Sequence, residues 1–240
     1  MDLGIAGRKA IVCASSKGLG RACATSLAEA GCEVVVNGRN RDAVEATAAD
    51  IRKATGAKVV AVAADVASPD GQKALFAACP EPDIVVNNNA GPPFRDFREL
   101  TREQILDGVI ANMVVAIELT QKAIDPMVRR KFGRIVNITS GTVKAPLFGL
   151  DLSSGARAGL TAFMAGVARS VAASNVTINF MQPGPFATDR LQSNMEMTAA
   201  KRLGTPHEFG AACAFLCSAR AGFITGQNLL LDGGTFPGAF

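Results

Sequence analysis

The 240-residue chain carries 25 Lys and Arg against 21 Asp and Glu, a net charge of +4, and is 48% hydrophobic and 19% charged. That is enough apolar surface for a sizeable core, and the modest, dispersed positive charge argues against a nucleic-acid partner. The densest basic cluster, Arg129-Arg130-Lys131, falls at the end of a helical pattern, where cations complement the helix dipole.

Taken in order, the chain alternates short apolar β-type runs with helical patterns. Strands are expected over residues 9–13, 33–37, 58–63, 83–87, 133–139, 175–181 and 228–231. Helices are expected over 20–30, 41–55, 69–78, a long 101–131, 153–173 and 206–218. Short apolar strands without period-two alternation are covered on both faces, and strict β-α alternation implies a doubly wound parallel sheet. No linker, repeat or low-complexity tract marks a seam, so one α/β domain of Rossmann type, with about seven strands, spans 1–240. Ligands in such sheets bind beyond the carboxyl ends of the strands.

The start, Met1-Asp2-Leu3-Gly4, has no basic or apolar leader pattern, and apolar runs such as 59–64 are far too short to cross a bilayer. A cytoplasmic protein with no membrane partner is expected. The six cysteines form no C-x-x-C pair and read as small buried hydrophobes. Cys213, Cys217 and the nearby His207 supply too few ligands for a metal site, so none is expected, and His207 reads as a surface residue.

The first expected strand runs into Cys13-Ala14-Ser15-Ser16-Lys17-Gly18-Leu19-Gly20. Glycines at 18 and 20 would let the backbone approach a pyrophosphate and the helix pack closely on the sheet. The helix N-terminus presents free N–H groups and positive dipole, while Ser15, Ser16 and Lys17 offer hydroxyls and a cation. An NAD-preferring site usually carries an acidic residue at the end of the second strand. Here that strand ends Val36-Asn37-Gly38-Arg39-Asn40-Arg41, with no carboxylate to repel a 2′-phosphate and with Arg39 able to fork onto one. NADP(H) is therefore the expected cofactor, ahead of NAD(H).

With those residues in view, the chain resembles the short-chain dehydrogenase/reductase family along essentially its whole length. Ala14-x-x-x-Gly18-x-Gly20 matches the glycine motif, with Ala14 where the first glycine is expected. Ala64-Asp65-Val66 resembles the segment that holds adenine, Asn88-Asn89-Ala90-Gly91 the N-N-A-G after the fourth strand, and Asn112 the family's helical asparagine. Ser140 falls on the family's serine. Pro183-Gly184 and Thr188 resemble the loop that orients the nicotinamide carboxamide, and Asp232-Gly233-Gly234 the C-terminal end. In general pattern the chain is most similar to 3-oxoacyl-acyl-carrier-protein reductases and to sugar or polyol dehydrogenases.

One departure bears on the chemistry the resemblance implies. The family's tyrosine and lysine stand thirteen and seventeen residues after the serine, positions occupied here by Ser153 and Arg157, and the chain contains no tyrosine. Tyrosine serves as the acid because its hydroxyl projects far and its pKa of about 10 can be lowered by a cation. Serine is shorter and less acidic. Arginine keeps the charge that can hold the nicotinamide ribose but cannot relay a proton. Three readings stay open. One is an active reductase acting on a carbonyl or secondary alcohol, in which Ser140 polarises the carbonyl and a water near Ser153 and Asn112, or Lys144, supplies the proton. Another is an NADP(H)-binding protein with little turnover. The last is a non-redox lyase or dehalogenase. Ser153 could also be a simple helix N-cap.

Pro92, Pro93, Phe94, Phe97, Pro146, Leu147, Phe148, Pro185 and Phe186 flank the expected cleft and suggest an apolar small-molecule pocket. A short Met-rich lid (Met195, Met197) is expected over 189–202. The apolar tail over 235–240 and the resemblance together imply a homotetramer or dimer.

Overall fold

The apolar runs become strands of a seven-stranded parallel sheet because all but the last feed cores on both faces. The computed structural model describes residues 2–189 and 198–238. The strands are β1 (Lys9–Val12), β2 (Glu33–Gly38), β3 (Val59–Ala63), β4 (Ile84–Asn87), β5 (Gly133–Ile138), β6 (Val176–Pro183) and β7 (Asn228–Leu231), in the order β3-β2-β1-β4-β5-β6-β7. Along β1, Ala10 and Val12 enter one core while Ile11 enters the opposite one; β2 and β4 repeat this with Val34 and Val36 against Val35, and Ile84 and Val86 against Val85. This is why hydrophobicity does not alternate in the sequence.

Helices α1 (Gly18–Glu29), α2 (Arg41–Thr55) and α7 (Pro206–Leu216) cover the first face. Helices α3 (Pro69–Ala78), α5 (Val115–Arg130) and α6 (Asp151–Val171) cover the second. The order reverses between β1 and β4. That switch point opens a crevice beyond the strands' carboxyl ends, where the loops after β1 and β4 diverge.

Two expectations are corrected. The long helix over 101–131 is three pieces: α4 (Arg102–Val109), a π-helical turn over Ile110–Val114, and α5. The π-turn holds Asn112, which is buried; such turns recur at functional sites. Helix α6 starts at Asp151 with Leu150 as its N-cap, so Ser153 lies inside the first turn and caps nothing. Boundaries elsewhere agree to within two residues.

Cys213 and Cys217 are completely buried while His207 is exposed. The basic cluster is largely engaged: Arg129 and Arg130 both pair with Glu81, and Arg130 also reaches Asp83.

Helix α7 is started by a capping box in which Thr205 Oγ1 accepts from the Glu208 N–H and Glu208 Oε2 accepts from the Thr205 N–H. Arg202 also binds the Glu208 carboxylate at 2.7 and 2.9 Å. These bonds, Arg202 first, hold the Glu208 carboxyl down at about 2. A depressed carboxyl supports the fold fully above the ordinary value and loses that support as pH falls through the folded one. Titration of the Glu208 carboxyl by NMR should give a midpoint near 2; a midpoint at the ordinary carboxylate value would contradict the cap.

Candidate active site

Beyond β1 the chain turns through Ala14 to Lys17 and enters α1. Ala14 has φ of +45°, a left-handed conformation that costs an L-residue roughly 1–2 kcal/mol. The missing first glycine is thus a change of residue and not of backbone path. Lys17 is the N-cap of α1 and makes no side-chain capping bond, leaving first-turn N–H groups available to an anion. A Cβ at Gly20 would lie 2.4 Å from the Ala14 carbonyl and 2.9 Å from Asn88 Nδ2. A G20A variant must displace backbone, and its affinity for NADPH should fall at least about tenfold, the loss of one charge-assisted hydrogen bond. Unchanged affinity by fluorescence titration would remove the loop from the cofactor site.

Two asparagines hold this loop in place: Asn37, to which motif reading gives no role, and Asn88, the first residue of the N-N-A-G match. Asn37, at the end of β2, is buried: its Oδ1 accepts from the Ala14 N–H at 3.1 Å, and its Nδ2 donates to the Val62 and Ala64 carbonyls at 3.2 and 3.0 Å. Asn88 Nδ2 donates to the Ala14 carbonyl at 3.2 Å. One amide therefore ties the loop to β3, and another ties it to the loop after β4.

Ser15 is corrected. Its hydroxyl is fully buried, donates to the Val12 carbonyl at 2.7 Å and accepts from the Asn37 N–H at 2.9 Å. It braces the turn and has no hydroxyl to offer a phosphate. Ser16 is half-buried, Lys17 is exposed, and Leu19 packs against the core. Arg39 is exposed beside the loop with no side-chain partner among the described residues. Asp65 is exposed, with Oδ1 accepting from the Ala67 N–H at 2.9 Å, whereas the Val66 side chain is in the core. Only the Val66 backbone can face an adenine.

On the far side of the crevice, Asn89 Nδ2 donates to the Ala111 carbonyl at 3.2 Å and Asn89 Oδ1 accepts from the Ala90 N–H at 2.8 Å. Gly91 follows at the rim. Pro183 ends β6, and Gly184 lies so close to Asp232 that a Cβ would meet it at 2.5 Å. Thr188 reaches back over the phosphate loop: its methyl is the nearest contact a Cβ at Gly18 would find, at 3.9 Å. These residues follow the carboxyl ends of the strands, where ligands bind in sheets of this kind.

At the end of β5, Ser140 is half-buried and its Oγ accepts from the Thr142 N–H at 3.2 Å and from Thr142 Oγ1 at 2.9 Å. Asn112 Nδ2 donates to the Gly108 carbonyl at 3.0 Å, while its buried Oδ1 has no partner among the described residues. Ser153 and Arg157 are both buried and bonded to each other, Arg157 Nε donating to Ser153 Oγ at 3.3 Å. Arg157 also donates to the carbonyls of Ile138 at 2.7 Å and Asn89 at 3.4 Å. Much of the guanidinium thus clamps α6 to the ends of β4 and β5, where the motif alone points to ribose hydroxyls. A cavity of about 20 Å³ beside it is lined by Asn87, Asn89, Asn112, Ile138 and Arg157.

The apolar rim divides. Phe94 and Phe148 are exposed and meet edge to face at 6.1 Å, with Leu147 and Phe97 exposed nearby. Phe186 is corrected to the core, stacked edge to face on Phe209 at 5.3 Å. Lys144 is exposed on the loop after β5. Met195 and Met197, and most of the expected lid, lie outside the described residues, as does the end of the apolar tail.

This fold and loop arrangement define a single doubly wound α/β architecture of Rossmann type. The family model described as enoyl-(acyl carrier protein) reductase matches residues 13–235. The acetoacetyl-CoA reductase of Cupriavidus necator is 34% identical over 96% of this chain and 99% of its own. The NADPH-dependent reductase BacG of Bacillus subtilis is 29% identical over 95% and 97%. The crystal structure of L-sorbose reductase from Gluconobacter frateurii, complexed with NADPH and L-sorbose, superposes with a TM-score of 0.93 at 27% identity, covering 99% of this chain and 100% of that one. The chain belongs to the short-chain dehydrogenase/reductase family.

Proposed function

We propose that this chain is an NADP(H)-dependent reductase acting on a carbonyl or secondary alcohol, of 3-oxoacyl or similarly apolar type, with an altered proton-donor site. The observation that carries this reading is the phosphate cradle, closed against Gly20 and followed at the end of β2 by Arg39, exposed and without a side-chain partner among the described residues. The relatives' reductase names and bound NADPH support it.

Ala14, Ser16, Lys17, Gly18, Leu19 and Gly20 would cradle the pyrophosphate, with Arg39 on the 2′-phosphate. Asp65 and Val66 would border the adenine, Asn89, Ala90, Gly91 and Arg157 the nicotinamide ribose, and Pro183, Gly184 and Thr188 the carboxamide. Bound NADPH supplies the hydride. Ser140 donates its hydroxyl proton in a hydrogen bond to the carbonyl oxygen and stabilises the charge that develops there. Ser153 is too short and too weak an acid to protonate that oxygen. Asn112 Oδ1 and Asn87 Oδ1, both buried without partners among the described residues, line the 20 Å³ cavity beside Arg157. Such a cavity has room for about one water, and a water held there would pass a proton from solvent to the substrate oxygen as the hydride reaches the carbonyl carbon. Exposed Phe94 and Phe148 would flank an apolar substrate.

The test is transfer of deuterium from 4-deuterated NADPH to acetoacetyl-CoA and to a panel of keto sugars, read by mass spectrometry of the alcohol. Deuterated product supports the reading; its absence across the panel, with NADPH bound, overturns it. That negative result would favour an NADP(H)-binding protein with little turnover, a reading motivated by the engagement of Arg157 with the Ile138 and Asn89 carbonyls. A homotetramer or dimer, and a cytoplasmic location, are part of the same proposal.

A further inference from the structure

We infer that Thr142 is a positioning residue that fixes Ser140 as a hydrogen-bond donor toward the substrate oxygen. The inference rests on the reductase reading above for its chemistry and on the loop after β5 for its geometry. A serine hydroxyl has one proton and two acceptor positions. Thr142 alone addresses both acceptors of Ser140 Oγ, with its N–H at 3.2 Å and its Oγ1 at 2.9 Å. Thr142 is buried, and Ser140 is its only side-chain partner among the described residues, so its own proton goes to Ser140. With both acceptors filled, Ser140 has only its proton left to use, and a substrate oxygen in the cleft would receive it. Accepting two hydrogen bonds also polarises the O–H and strengthens its donation. A serine so held cannot act as a base; it can only stabilise negative charge on the oxygen. In a chain without the tyrosine, this donor carries the larger share of carbonyl activation.

Two measurements test this independently. In a neutron structure of the NADP⁺ complex, the Thr142 deuteron should lie on the line to Ser140 Oγ and the Ser140 deuteron should point into the cleft. A Ser140 deuteron directed at Thr142 Oγ1 overturns the inference, whether or not the protein turns over any carbonyl. In the deuteride-transfer assay, T142V should lower kcat about tenfold, the loss of one hydrogen bond in the transition state. The KM for NADPH should stay unchanged, and T142S should restore the rate. Wild-type kcat in T142V, or a T142S as slow as T142V, also overturns it. A wild-type protein with no turnover at all would sink the reductase reading and leave the neutron result to decide this one.

Discussion

The double variant S153Y/R157K is expected to raise carbonyl turnover about 100-fold, the lower end of what a positioned general acid contributes. The expectation takes the low end because Arg157 also does structural work. Its bonds to the Ile138 and Asn89 carbonyls and to Ser153 Oγ hold α6 against β4 and β5. Lysine, with a single ammonium, cannot reproduce that fork, so the variant should also lose thermal stability. R157K alone separates the two effects: it should be destabilised without gaining turnover. A double variant that folds, binds NADPH and turns over no faster than the wild type would show that proton supply does not limit the rate.

Replacing Arg134 with methionine should destabilise the fold by about 3 kcal/mol or more, since several buried acceptors lose their donor at once. Arg134, near the start of β5, is only 1% exposed. Its Nε donates to the Ser218 carbonyl at 2.9 Å, Nη1 to the Gly133 and Asn175 carbonyls at 2.8 Å each, and Nη2 to Asn175 Oδ1 at 3.1 Å. Its guanidinium also stacks on Phe132 at 4.4 Å, with Arg8 over the same ring at 3.9 Å. Burial lowers its pKa, yet the surrounding carbonyls, one just past the negative end of α7, suit a cation. For a chain of this size the loss corresponds to a fall in Tm of about 6–12 °C. Arg134 lies at the opposite end of β5 from Ser140, so NADPH affinity below the transition should be unchanged. A drop in Tm of under about 2 °C would contradict the staple.

The strands and most helices were legible because burial on both faces leaves continuous apolar runs, and the loops after β1, β4 and β5 could be placed from strand ends alone. Roles that depend on distant partners were not. Asn37 reads as an unremarkable polar end to a strand, and only the fold brings it to Ala14, Val62 and Ala64. Ser15 looked like a phosphate donor because its neighbours are; the turn instead points its hydroxyl back at Val12. Phe186 looked like cleft because of the loop it follows, but Phe209 of α7 takes its ring. The π-turn at Asn112 has no periodic signature, since one extra residue in a helical turn leaves the apolar spacing nearly intact. Thr142 could have been noticed as a hydroxyl two residues beyond Ser140, a spacing at which side chain and backbone commonly meet.

The central claim is that the crevice takes NADPH, and a fluorescence titration of the purified chain with NADPH and, in parallel, NADH tests it most directly. The expected result is micromolar binding with NADPH preferred, and with that preference abolished in R39S as the guanidinium's hold on the 2′-phosphate is lost. Binding of neither nucleotide, or equal affinity for both in the wild type, would contradict it.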